Sequence, residues 1–264
     1  MIKIKTSALV LTCLGTLTAG QVLAHTTVLK KNTPDGWAER IELEGTSTVS
    51  ATTISHGCSF NGSPTKKVTA QAVVWPNGEY AIAVDGDGNE VILAEEIIGN
   101  AVIGPKPIQD HNIFKKIKVK TGTVPEYNNH GLKNSDIRGF EYTKGKLDTN
   151  LLGVVPYSAG YPKFRSDSCA TKLKIQFAIA NYCTKSKNEN DNDRADVWAG
   201  ELTPMFNDPD VVSVGFWPHV NVMRDMVNNP VDEGKCGDGY EIVVTPSAEA
   251  IDKFLPIKKY WPAN

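Results

Sequence analysis

Lys172-Leu173-Lys174-Ile175-Gln176-Phe177-Ala178-Ile179-Ala180-Asn181-Tyr182-Cys183 alternates between apolar and polar with a period of two. Leu173, Ile175, Phe177 and Ile179 share one face and Lys172, Lys174 and Gln176 the other, the pattern of a β-strand with one buried side. Lys67–Trp75 repeats the pattern, with Val68, Ala70, Ala72 and Val74 on one side. Asn77-Gly78 follows as a turn signal, and Glu79–Val84 is expected to return as a hairpin partner. Thr48–Ile54, Ile113–Val119 and Tyr240–Thr245 add further strands. Helix is scarce. Thr245-Pro246 reads as an N-cap and first helical residue leading into Ser247–Leu255. With 22 Gly and 15 Pro spread along 264 residues, the chain reads as mainly β. The expected form is an antiparallel β-sandwich with long loops and little helix, Gly122–Arg165 being its most irregular stretch.

The first 24 residues read as a secretory signal peptide. Lys3 and Lys5 form a basic start, Ala8–Leu17 a short apolar run, and Val22-Leu23-Ala24 a cleavage site. That run is below the roughly 20 apolar residues a membrane span needs, and no later stretch is long and apolar enough to serve as a transmembrane segment. Residues 25–264 are then expected to form a single β domain beginning at His25, exported to the periplasm or outer cell surface. Removing Lys3 and Lys5 leaves 26 of the 28 basic residues against 30 acidic ones, a net charge of −4. So mild a charge argues against nucleic acid as a partner, because a phosphate backbone calls for a basic face.

Loss of the leader also removes Cys13 and leaves Cys58, Cys169, Cys183 and Cys236. Four cysteines in an oxidising compartment predict two disulfides, with three pairings open. No CxxC pair favours a cysteine metal site instead.

Val211–Val222 carries the functional reading. Taken as one strand, it puts Val212, Val214, Phe216, Pro218, Val220 and Val222 on a core face. Trp217 and His219 then become neighbours on the side away from the core, where an aromatic ring has no core to fill. Pro218 donates nothing to a ladder, so the segment belongs at an edge or bulge. Upstream, His56 lies just past the Thr48–Ile54 strand in Ser55-His56-Gly57-Cys58. A bonded Cys58 would hold that corner in place and fix the orientation a metal ligand needs.

These features, with the run from Ala195-Asp196-Val197-Trp198 through Phe206-Asn207-Asp208-Pro209 to Trp217-Pro218-His219, resemble the copper-repressible, surface-associated copper-binding proteins of methane-oxidising bacteria, the MopE and CorA type. The likeness is best over the C-terminal third. It implies a binding protein rather than an enzyme, holding one copper through two histidines and a kynurenine made by oxidation of tryptophan. On this chain Trp217 would be the modified residue and His219 one ligand. No histidine follows His219, so the second is assigned upstream, to His56. The resemblance also implies copper capture or delivery, with a protein partner at the outer surface or in the periplasm. Imidazole suits copper, and two nitrogens with one weak further ligand suit Cu(I).

His25 is the competing ligand. Cleavage before it would place an amino group and an imidazole on one residue, as in periplasmic copper chaperones and in copper redox enzymes that use an N-terminal histidine. Asp85-Gly86-Asp87-Gly88-Asn89-Glu90, with Glu96 beyond, partly mimics a calcium loop, although Glu90 stands where glycine is required. Asn188–Asp193 is a second acidic loop of that kind. His111 and His130 carry no partner signal. No nucleophile elbow, phosphate loop or HExxH motif is present.

Overall fold

The computed structural model describes residues 26–29, 31–33, 36–38, 40–55, 57–60, 63–78, 81–99, 101–110, 112–122, 137–183 and 194–261. The expected leader, residues 1–24, lies outside them. The chain is mainly β, with short helices at Leu93–Glu96, Glu233–Cys236 and Ala248–Phe254. None of its described helices is long and apolar enough to cross a membrane.

Three sheets carry the architecture. One runs in the order Thr27–Val28, Ser47–Ile54, Gly153–Gly160, Gly104–Pro107 and is antiparallel throughout. A six-stranded sheet runs Phe114–Thr121, Ile137–Gly145, Ala70–Val74, Ala178–Tyr182, Ala195–Gly200, Val212–Val214. A five-stranded sheet runs Ile41–Leu43, His219–Met223, Ala170–Gln176, Tyr240–Pro246, Ala81–Asp85. The latter two are mixed: Val212–Val214, Ile41–Leu43 and Tyr240–Pro246 each lie parallel to a neighbour.

The middle strands of the six-stranded sheet are buried on both faces. Val73, Phe140, Tyr142 and Ile179 join a core shared with the other two sheets, where Ile54, Val155, Leu173, Ile175, Val220 and Val244 meet. Trp75 stands at its centre, its ring centroid 4.5 Å from Phe177 and 5.1 Å from Tyr157. The opposite face is an alanine-rich row, including Ala70, Ala72, Ala178, Ala180 and Ala199, against Ile251, Phe254, Leu255 and Trp261. Small side chains let the C-terminal helix lie close to the sheet. That helix is capped by Ser247, whose hydroxyl accepts from the Ala250 amide at 3.2 Å. Pro246 ends the preceding strand instead of opening the helix.

Lys172–Cys183 is strand almost throughout, with Leu173, Ile175, Phe177 and Ile179 all inside. It serves two sheets, however: Ala170–Gln176 belongs to the five-stranded sheet and Ala178–Tyr182 to the six-stranded one. Phe177 is the corner.

Two other expectations are corrected. The hairpin across Asn77-Gly78 does not form, since Ala70–Val74 and Ala81–Asp85 lie in different sheets. Asn77 is buried there, donating from its amide to Ile103 O and Ile137 O. Side-chain bonding to distant strands turns the chain out of one sheet into the other. Of 122–165, residues 123–136 lie outside the described residues, and 137–165 are not mainly irregular. Ile137–Gly145 and Gly153–Gly160 are interior strands paired on both sides. Gly139 sits where a Cβ would come within 2.3 Å of Val73 O, so glycine allows the strands to pair closely.

The cysteines pair as Cys58–Cys183 and Cys169–Cys236. The first ties the Cys58–Phe60 strand to the end of the Ala178–Tyr182 strand. The second ties the start of the Ala170–Gln176 strand to the Glu233–Cys236 helix.

Candidate metal centre

Val211–Val222 is two strands, not one. Val212–Val214 pairs with Ala195–Gly200 in the six-stranded sheet, the chain bends at Gly215, and His219–Met223 pairs with Ala170–Gln176 in the five-stranded sheet. Gly215 N donates to Gly200 O at 2.7 Å, and Phe177 N donates to Pro218 O at 3.0 Å. This crossing therefore runs beside the corner at Phe177. Alternation fails on both sides of the bend: Val212 is buried but Val214 is 58% exposed, and Asn221 is buried together with Val220 and Val222.

Trp217 sits in the bend. Its indole lies against Gly200 and packs, half-buried, on the alanine-faced core. The ring does have a core to fill, which corrects the sequence expectation. His219 opens the next strand opposite Gln176. Its Nδ1 lies 3.0 Å from Trp217 O. A carbonyl oxygen only accepts, so Nδ1 carries the proton, and in a neutral ring the lone pair is on Nε2. That is the arrangement of a metal-binding imidazole, where the non-ligating nitrogen donates to a backbone carbonyl. Nε2 itself is shielded from solvent.

His25, His56, His111 and His130 lie outside the described residues, as does the Asn188–Asp193 loop. The neighbours of His25 and His56 are informative. The Asn181 side-chain amide donates to the hydroxyl of Thr26 at 2.7 Å. Cys58, bonded to Cys183, has its Sγ 3.5 Å from Asn181 O. Thr26, which follows His25, and Cys58, two residues after His56, thus both contact Asn181. Asn181 also accepts from Gln71 Nε2 at 2.9 Å, and Thr52 donates to Gln71 Oε1 at 3.1 Å. All four polar side chains are at most 1% exposed. Sequence reading passed over this ladder, although a polar residue inside an apolar strand was its signal. Asn181 and Gln176 stand five residues apart on the same run, on either side of the corner at Phe177. Thr27–Val28 lies between, its Cα atoms coming within 8 Å of the His219–Met223 strand.

Among the described residues no group of three or more His, Cys, Asp or Glu is gathered as a metal site. The calcium-like loop is a tight turn. Asp85 Oδ1 accepts from the amides of Asp87 and Asn89, each at 2.9 Å. The Asn89 side-chain amide and these backbone bonds hold the Asp85 carboxyl below the usual carboxylate range. Glu96 is engaged elsewhere, accepting from the Ser168 hydroxyl. No family model and no curated protein matches this chain.

Proposed function

We propose that this chain is an exported copper-binding protein, holding one copper ion through His219, a second histidine, and a kynurenine formed from Trp217, for copper capture or delivery. The observation that carries the reading is the Nδ1 bond from His219 to Trp217 O. It ties the imidazole to the residue expected to supply the further ligand, with the Nδ1 side of the ring turned to a backbone carbonyl as in metal-binding histidines. Trp217 lies in a bend between two sheets rather than in a ladder, so its ring geometry is set by packing and not by strand alternation. His56 is the second histidine of this reading. Two disulfides suit an exported protein.

A second reading, a copper redox enzyme or periplasmic chaperone using an N-terminal His25, gains from the convergence at Asn181. Thr26 follows His25 directly, Gly57 follows His56, and Thr26 and Cys58 meet on one residue.

Metal content and peptide mass around Trp217, measured on protein exported by its own host, test both. The first reading expects one copper per chain, lost in His219→Ala and in His56→Ala, with Trp217 carrying kynurenine's added oxygen and missing carbon. Copper retained in His219→Ala but lost in His25→Ala and His56→Ala selects the second. A metal-free, unmodified protein overturns both.

A further inference from the structure

The Phe114–Thr121 strand, Phe-Lys-Lys-Ile-Lys-Val-Lys-Thr, is the outer strand of the six-stranded sheet. Lys116 and Lys118 share a face and lie opposite Thr143 and Glu141 of the next strand. That two-stranded face floors a trough of about 600 Å³ whose far wall is the C-terminal segment Ile257–Tyr260. Lys144, Lys258 and Lys259 enter the same trough, so its lining holds five lysines and one glutamate. Glu141 is drawn to Lys120, 3.7 Å away, which anchors the wall by donating to the carbonyls of Phe254 and Pro256. None of the five lysines has a carboxylate within 4.0 Å among the described residues, and all five are exposed.

Lysines on an outer strand have a structural use, since they discourage edge-to-edge aggregation. That accounts for Lys116 and Lys118. It does not account for Lys144, Lys258 and Lys259, which come from other segments to the same hollow. Lys144 is the one non-glycine with positive φ among the described residues, at 57°, a conformation that L residues with a Cβ adopt only under strain. Gathering five like charges in a chain of net charge −2 raises their mutual repulsion and concentrates positive potential in one hollow.

The chemistry of the lining narrows the occupant. It contains no arginine, so it offers point charges rather than the planar forks that grip phosphate in two places. Its one aromatic residue, Tyr260, is 3% exposed, with its hydroxyl accepting from Thr69 at 3.1 Å. Bases of a single strand would find no ring to stack on. A flexible chain with spaced negative charges, hydroxyl-rich and without flat bases, fits such a surface. We propose that the trough binds an anionic polysaccharide, through carboxylate or sulfate groups along the sugar chain.

Calorimetric titration of the full chain at low ionic strength, with an oligogalacturonate and with a heparin-derived oligosaccharide, tests this. At least one sugar is expected to bind, the pair distinguishing carboxylate from sulfate recognition. Affinity is expected to fall about tenfold or more in Lys116→Glu/Lys118→Glu and with added salt, because the attraction is screened and exposed. Lys258→Glu/Lys259→Glu, on a separate segment, is expected to weaken it similarly, whereas Lys235→Glu in the distant Glu233–Cys236 helix leaves it unchanged. Thermal melts establish that each variant is folded. Failure of both sugars to bind, binding by either double variant as tight as that of the unaltered chain, or tighter binding of a single-stranded oligonucleotide would each overturn the proposal.

Discussion

The indole of Trp217 lies directly across the Cα of Gly200, where a Cβ would come within 1.9 Å of its Nε1 and 2.0 Å of Cε2. Gly200 has a φ of +66° and its carbonyl receives the Gly215 amide. Glycine is thus required twice over, for the backbone and for the ring that rests on it. Gly200→Ala is expected to destabilise the fold by about 2–4 kcal/mol, combining overpacking with a strained φ. Urea denaturation followed by tryptophan fluorescence reads both the lost stability and the displaced ring, and unchanged values for both would refute this packing.

Asn181 bridges Thr26 and Gln71 at the junction of two sheets. Asn181→Leu keeps the volume but leaves the Gln71 amide and the Thr26 hydroxyl without that partner. A loss of about 2–4 kcal/mol is expected, as desolvated polar groups lose their hydrogen bonds. Asn181→Asp, which restores the acceptor but buries a charge, should be destabilised in its own right and more so above pH 5 than below it. Chemical denaturation at both pH values measures the difference.

The Cys58–Cys183 bond spans 125 residues of chain and the Cys169–Cys236 bond 67. Loop-closure entropy grows only with the logarithm of length, so each is expected to contribute about 4–5 kcal/mol, the two differing by less than about 1 kcal/mol. Paired Cys→Ala variants measured separately by calorimetry check this near-equality. A large deficit confined to one pair would show that local packing, not chain entropy, dominates there.

Burial pushes the phenols of Tyr142, Tyr161 and Tyr182 well above the ordinary tyrosine range, and that of Tyr157 up to about 12. Between about pH 10 and 12 the unfolded chain has released these protons while the folded chain still holds them. The unfolded state therefore binds fewer protons, and stability falls as pH rises through that window. Below pH 10 this contribution is complete. Absorbance near 295 nm should show these tyrosines ionising together with unfolding, and reversible titration at pH 10 in the folded protein would contradict it.

Much of the candidate site was legible as chemistry before it was legible as geometry. Trp217-Pro218-His219 stands out because a tryptophan and a histidine flank a proline, and the structure does link them, through His219 Nδ1 and Trp217 O. The spatial reason differs. Alternation assumes one continuous strand, and Gly215, with φ +81°, breaks that assumption. The lysines of the 114–121 strand were visible individually, but net charge averages over the chain and hides where charges gather. Lys144 approaches them through strand pairing, and Lys258 and Lys259 because Ile257–Tyr260 folds back over the sheet.

By itself the sequence determined the strand-rich class, the buried row Leu173, Ile175, Phe177 and Ile179, and the presence of two disulfides, because period-two hydropathy and cysteine parity are local or countable properties. Tertiary structure decided which sheet each strand joined, which cysteines paired, and that Ala70–Val74 and Ala178–Tyr182 were buried on both faces. Those outcomes depend on contacts between residues 60 to 180 positions apart, such as Cys58 with Cys183 or the Ala70–Val74 strand with Phe254. A single strand's pattern says which side seeks burial, but only its neighbours decide what covers the other.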